Sequence, residues 1–479
     1  MTTIAYPIRW YENQRLYIGV AAVAALTWLG ATLFEWAGPL SFVLAAQLVL
    51  FVFLFQRPIL AIGALIVGQF TANSFMFDLP IGEQISVRFL WTVLAIVLLV
   101  PIVRNRGGIK LGSGAKWVII PAIIFFVIAA TSNFVNTDIS NTLKYFRLNA
   151  TALAILILLP AVVEKKQDLK LLSIVTLGVG SISAIVAIMQ HYSTRWGLPV
   201  YTISDGIYRS GRAVGLAESP VHIAYDLPLI ILPTLGVLLL KGVSPNARKI
   251  LMVLVLAMGL GLYFSYTRSG IYALAAGVFI MVLFSQIRFK KELVLITLVL
   301  TVGFLLWTDI NATRYSQWFT NDQSGASRLV LWQSGVNVAL DNPALGIGYD
   351  EFLGIAPEYL ATVNPAYAET EGAGGVLGVQ EPHNDFIRVW LSFGTPALLA
   401  LLWLFFGMFR NFTVAYRQSS DLFIKGLSIG CIGALVAYVV NASIHNVMDS
   451  VFFMWILAGL SIALTKFIPA QQNQIEREG

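Results

Sequence analysis

The residues in this chain best suited to chemistry are a histidine and two arginines, set far apart in the sequence. His383 opens Pro382-His-Asn-Asp-Phe-Ile-Arg388, where a polar stretch meets an apolar run. A water-accessible imidazole there is neutral near pH 7 and can accept a proton, and Asp385 or Glu381 is near enough in sequence to orient it. His445, in His-Asn-Val-Met-Asp449, has a similar setting. Arg212 lies in Tyr208-Arg-Ser-Gly-Arg-Ala-Val-Gly-Leu-Ala-Glu-Ser-Pro220, and Arg268 in Ser265-Tyr-Thr-Arg-Ser-Gly270. Two guanidiniums on one face can clamp a diphosphate through bidentate, charge-assisted hydrogen bonds.

Other chemistries lack their residues. There is no Asp-x-Asp pair, no His-x-x-x-His and no Cys/His cluster at ligand spacing, so no metal or other cofactor is expected. The nearest acidic pair, Glu369 and Glu371, lies in a Gly-rich stretch. The one cysteine, Cys431, sits inside an apolar run and reads as a small core residue. No phosphate-binding Gly-rich Lys motif is present, and no cytoplasmic loop is long enough for an ATP-binding domain. Energy must therefore come with the substrate or with an ion gradient.

The elements that position these residues are membrane helices. Hydrophobic residues make up 57% of the 479, charged residues 12%, and the mean hydropathy is +0.77. The apolar runs are long enough to cross about 30 Å of hydrocarbon and lack period-2 alternation, so the fold class is an all-α polytopic membrane protein. About fourteen transmembrane helices are expected (12–14), near residues 16–36, 39–56, 58–75, 87–103, 116–132, 147–163, 169–190, 221–240, 249–265, 270–287, 292–308, 386–409, 423–442 and 449–466. With the N-terminus inside, 21 of the 31 basic residues fall on the cytoplasmic side, and both termini are cytoplasmic. The +6 net charge thus reflects membrane orientation, not affinity for nucleic acid.

That topology puts all four histidines, Arg212 and Arg268 on the outer face. Arg209, Arg147, Lys144 and Arg88 can add to a positive funnel there. His191 and His222 read as interfacial. Two outer loops, 191–220 and 309–385, exceed simple connectors. The longer one holds an expected amphipathic helix, Ser327 to Leu340, with Leu329, Trp332, Val336 and Leu340 on one face and Asp341-Asn-Pro343 as its stop. Glu371 to Gly378 reads as a flexible stretch before His383, either a disordered loop tip or a lid over a site. The chain divides into N-terminal helices (1–204), central helices with the arginine motifs (205–308), the large outer loop (309–385) and C-terminal helices (386–479).

These motifs together resemble the O-antigen ligase and polymerase superfamily of bacterial membrane proteins, over roughly residues 205–465. Arg212 with Leu216 is similar to the family's first arginine motif, and Glu218-Ser-Pro220 stands where the family often has Asn-Pro. Thr267-Arg-Ser-Gly270 is similar to its second arginine motif. His383, Asn384 and Gly394 match the His-Asn-x9-Gly motif, but Ala397 stands where Gly, Thr or Tyr is usual. Ser327-Arg-Leu-Val-Leu-Trp332 through Pro343-Ala-Leu-Gly-Ile-Gly348 resembles the family's large periplasmic loop. The resemblance implies a GT-C-like, inverting, metal-independent glycosyltransferase of the bacterial inner membrane, with a periplasmic site. Its donor would be a glycan on undecaprenyl diphosphate and its acceptor a glycolipid or glycan hydroxyl. His383 would be the base, Arg212 and Arg268 would hold the diphosphate, and Arg209, Arg388, Asp385, Glu218 and His445 would be supporting residues. The His-Asn-x9-Gly spacing favours a ligase, while Ala397 and the span count leave a polymerase open. A secondary transporter is the rival of another class. Buried charges, broken helices and an inverted repeat would mark it, and the sequence puts its charges at helix ends.

Overall fold

In hydrocarbon a backbone must satisfy its own hydrogen bonds, so long apolar runs become helices whose ends are set by capping side chains. The computed structural model describes residues 111–196, 212–217, 219–285, 323–364, 381–446 and 453–468, with short pieces at 59–60, 62–63, 66–67, 76–78 and 84–86. The helices are α1 (Lys116–Asn136), α2 (Ile139–Val162), α3 (Lys166–Trp196), α4 (Pro220–Leu239), α5 (Pro245–Phe264), α6 (Arg268–Phe284), α7 (Gln323–Asp341), α8 (Phe352–Val363), α9 (Asp385–Gln418), α10 (Leu422–Ala442) and α11 (Phe453–Leu464).

Among the described residues six helices (α1, α3, α4, α5, α9 and α10) are long and apolar enough to cross a membrane. The shorter apolar helices α6 and α11 and the apolar part of α2 fall on three more of the expected spans. The expected spans at 16–36, 39–56, 87–103 and 292–308, and most of 58–75, lie outside the described residues. Between the third and fourth expected spans, β1 (Met76–Asp78) and β2 (Gln84–Ser86) pair antiparallel with Phe77 opposite Ile85.

Starts are written in the sequence. Asp138, Ser219, Ser244, Asn384 and Asp421 accept backbone N–H bonds at the first turns of α2, α4, α5, α9 and α10. Pro220 and Pro245 take the first helical position, where a missing N–H costs nothing. α4 lies at the centre, against α3, α5, α6 and α10. Its backbone meets α10 directly, since a Cβ on Gly430 would lie 2.5 Å from the Leu232 carbonyl oxygen.

The two ends of the bundle differ in charge. At one end Lys166 pairs with Asp421, Lys466 donates to the Val163 carbonyl at 3.1 Å, and Arg410 lies 4.6 Å over the Trp117 ring. At the other end the starts of α6 and α9 and the end of α10 bring Ser269, His383 and His445 together. The alternation matches spans that reverse direction one after another.

α9 is broken at Gly394, whose φ of 81° is open to glycine and strained for other residues. The break and Pro396 strip α9 of its i→i−4 bonds at this point. Residues 343–348 replace them. Thr395 N donates to Pro343 O (2.8 Å), Ile347 N to Leu391 O (2.9 Å) and Gly348 N to Ser392 O (2.9 Å). A Cβ on residue 394 would lie 2.5 Å from the Ala344 carbonyl oxygen, so glycine is needed for closeness as well as for φ. Asn133 and Asn136 at the end of α1 hold the same segment, through Tyr349 N (2.8 Å) and Gly346 O (3.1 Å).

α7 forms where the sequence places a helix, but its buried face is not the expected stripe. Leu329 and Leu340 are exposed, whereas Leu331, Ser334, Gly335, Val338 and Ala339 are buried. The small residues decide the orientation. A Cβ on Gly335 would lie 2.7 Å from Ile387 Cγ2, so α7 can settle onto α9 only on that side. Leu331, Val338 and Ala339 then pack with Phe352, Ala356 and Leu360 of α8 and with Leu391.

Candidate active site

Arg212 is anchored before it can act on a ligand. Gln190, buried in α3, accepts from Val214 N (3.0 Å) and Gly215 N (2.9 Å) and donates to Gly215 O (3.2 Å). Ser183, seven residues earlier on the same face, accepts from Leu216 N at 3.1 Å. Two polar side chains inside an apolar helix thus grip the segment that carries the arginine. Gly215 has a φ of 61°, and a Cβ there would press on Ser183 at 2.5 Å. Gln190→Leu is expected to leave two buried N–H groups unpaired, each costing about 1–3 kcal/mol. Thermal unfolding should move down and activity should fall with it. Gln190→Glu keeps both acceptor bonds but sets a buried carboxylate oxygen against the Gly215 carbonyl, so it should restore little of either.

From this anchor the contacts run through the second arginine motif to the histidines. Arg212 donates from Nε to Ser265 O (3.0 Å) and from Nη2 to Thr267 Oγ1 (2.6 Å). Thr267 in turn donates to Pro220 O at 2.9 Å, so one hydroxyl joins both arginine motifs to the start of α4. Arg268, half-buried, is the first residue of α6, and Ser269 lies 3.1 Å from His445 Nε2. Gly270 lets this turn rest against α4, where Pro228 has no N–H for the Ala224 carbonyl and Asn441 Nδ2 donates to it at 3.5 Å.

His445 and His383 face each other edge to face, with ring centroids 6.4 Å apart. His383 has a positive φ of 50°, and the residues around it hold that corner. Asn384 accepts from Phe386 N and Ile387 N, donates from Nδ2 to Ser443 O (3.0 Å), and its own N–H goes to Asn446 Oδ1 (2.7 Å). The Asn of the His-Asn motif therefore caps α9 and ties the His383 corner to the turn that carries His445.

The electrostatics keep both imidazoles neutral. Removal from water lowers the proton affinity of His383, and the charge of Arg328 lowers it further. His445 is pushed down to about 3, first by burial and then by Arg328, His383, Arg212 and His222. Arg328 had no role in the sequence analysis. It lies in the first part of α7, whose docking on α8 and α9 the sequence did not show. Gln190 and Ser183 were missed as well, although two polar residues seven apart in an apolar span are a readable signal.

Other expected residues fall differently. Asp385 and Glu381 both pair with Arg388, at 3.1 Å and 3.8 Å, and Glu381 also accepts from Asn446 at 2.5 Å. Their charge offsets that of Arg388. His222 lies inside the cluster, its Nδ1 2.7 Å from Ser219 Oγ, and His191 stacks on Phe264 with centroids 4.0 Å apart. Asp226, buried within α4 one turn beyond His222, is an ionisable residue away from a helix end, unlike the expected pattern. Arg209, Glu218, Glu369 and the stretch Glu371 to Gly378 lie outside the described residues, as do the side chains of Lys144 and Arg147. Among the described residues no three of His, Cys, Asp or Glu gather as a metal site.

Helices long enough to span a membrane, with arginines and neutral histidines gathered at one end, define a polytopic membrane protein with a site suited to an anionic ligand. Residues 253–402 match the family model described as O-Antigen ligase, which bears out the resemblance to the O-antigen ligase superfamily. The match takes in Arg268, Arg328, His383, Asn384 and Gly394, and leaves Arg212 and His445 outside it. No curated protein matches the chain.

Proposed function

We propose that the protein is an O-antigen ligase-type glycosyltransferase that moves a glycan from undecaprenyl diphosphate to an acceptor sugar hydroxyl. The reaction runs at the periplasmic face of the bacterial inner membrane, with inversion and without a metal. Arg212 and Arg268 hold the diphosphate, and Arg328 adds to the positive field. His383 takes the proton from the acceptor hydroxyl as its oxygen bonds to the anomeric carbon. The bond from that carbon to the diphosphate oxygen breaks, and the departing negative charge falls to the arginines. Arg268 stands at a helix N-terminus, where the macrodipole already favours an anion.

The observation that carries this reading is the continuous run of contacts from Arg212 through Thr267 and Ser269 to His445 and His383. The grouping of basic residues at the opposite end supports a periplasmic site. The test is purified protein with lipid-linked donor and either core glycolipid or a second lipid-linked repeat. A single added band on the core glycolipid is the expected result. A ladder formed without it would make the protein a polymerase, the reading that Ala397 favours. Solute uptake into vesicles with no glycan product would make it a transporter.

A further inference from the structure

A cavity of about 800 Å³ lies between α3, α4, α5, α10 and α11, at the end of the bundle opposite His383. Its size falls in the range of roughly 300–1,000 Å³ typical of ligand pockets. Leu169, Ile230, Val237, Leu427, Phe453 and Leu460 are among its walls. The Ser173 and Thr234 hydroxyls on these walls each donate to the carbonyl one turn earlier, at 2.8 Å, so they offer an occupant little. A half-open apolar space of this size holds no ordered water of its own. It suits a hydrocarbon chain.

The rim has the opposite character. Lys166, Lys170 and Lys241 line it, with Asp421 as the one acid, and Asp421 is already paired with Lys166. Lys170, exposed, lies 5.8 Å over the Phe423 ring. Lys241, also exposed, ends α4 in a left-handed conformation with a φ of 57°. Among the described residues neither lysine has a carboxylate partner. Basic residues beside an interhelical apolar pocket recognise phosphate headgroups.

From the apolar cavity and its lysine rim we infer that this is a binding site for an anionic phospholipid, its acyl chain between the helices and its phosphate on Lys170 and Lys241. It lies at the opposite end of the helices from the catalytic cluster and shares none of its residues.

Thermal unfolding of the purified full-length protein, stripped of lipid and titrated with defined additives, tests this. Phosphatidylglycerol should raise the unfolding temperature, while phosphatidylcholine and glycerol 3-phosphate should do little. Lys170→Gln with Lys241→Gln should cut the preference for phosphatidylglycerol over phosphatidylcholine by roughly 30-fold, two surface lysines' worth of attraction. Lys170→Glu with Lys241→Glu, which turns that attraction into repulsion, should cut it by more, in the same direction. Equal stabilisation by both phospholipids, an unchanged preference in both double variants, or equal stabilisation by glycerol 3-phosphate would overturn the site. So would stabilisation by undecaprenyl phosphate alone.

Discussion

His383→Asn is expected to cut glycan transfer by about two to four orders of magnitude, the usual range for losing a general base, with donor binding retained. Asparagine is the informative replacement because it tolerates the left-handed backbone of this corner, where the φ is 50°. Alanine would add backbone strain to the loss of the imidazole. The pH profile gives a second reading. The proton affinity of His383 lies below the ordinary imidazole value of about 6.5, through burial and then Arg328. Only the neutral ring accepts a proton, so kcat/KM for donor should hold as pH falls to 6.5 and drop only below it. A bound diphosphate would offset the arginine field and raise the proton affinity. The acid limb of kcat should therefore lie at higher pH than that of kcat/KM. The same shift makes stability fall in acid. The folded protein binds fewer protons than the unfolded chain below about pH 6.5, so stability should decline as pH drops through that value. Superimposable kcat and kcat/KM profiles, with near-normal transfer by His383→Asn, would remove His383 from the chemistry.

The second large effect is expected at the arginines, where the two alanine variants should differ. Arg268→Ala should lower transfer by about two to three orders of magnitude, as for removal of a donor that stabilises developing charge. Its effect on folding should be the smaller of the two, because a cation in the first turn of α6 opposes the helix macrodipole by about 0.3–1 kcal/mol. Arg212→Ala should lose comparable activity and also unfold at lower temperature. It gives up the bonds to Ser265 O and Thr267 Oγ1 that hold the turn between α5 and α6. Lysine at either place should recover little, since a point charge does not reproduce the guanidinium fork. Transfer and thermal unfolding measured on the four variants separate the two roles. Normal transfer in both alanine variants would end the diphosphate assignment.

Much of this arrangement was legible in the sequence for a simple reason. Apolar run length locates the spans, and spans that alternate in direction bring Arg212, Arg268, His383 and His445 to one end although they are scattered along the chain. What could not be read depends on lateral packing. The face that α7 buries follows from Gly335 against Ile387, a contact with no trace in the periodicity of α7, and the charge of Arg328 is felt at the histidines from that helix. Arg388 takes up both Glu381 and Asp385, a pairing that sequence distance left open. Gly394 and Pro343 to Gly348 were visible as separate motifs. That one supplies the hydrogen bonds the other lacks emerges only when they meet.

The Asn384 corner also has a consequence for how the protein is made. Its two long-range bonds reach Ser443 and Asn446, 59 and 62 residues further along the chain. The bonds from Arg212 to Ser265 and Thr267 close within residues 212–267, but the His383 corner is not fixed until the ribosome has passed residue 446. A chain stopped short of that turn would leave the His383 corner without its two anchors, so this corner is among the last parts of the cluster to be set in place.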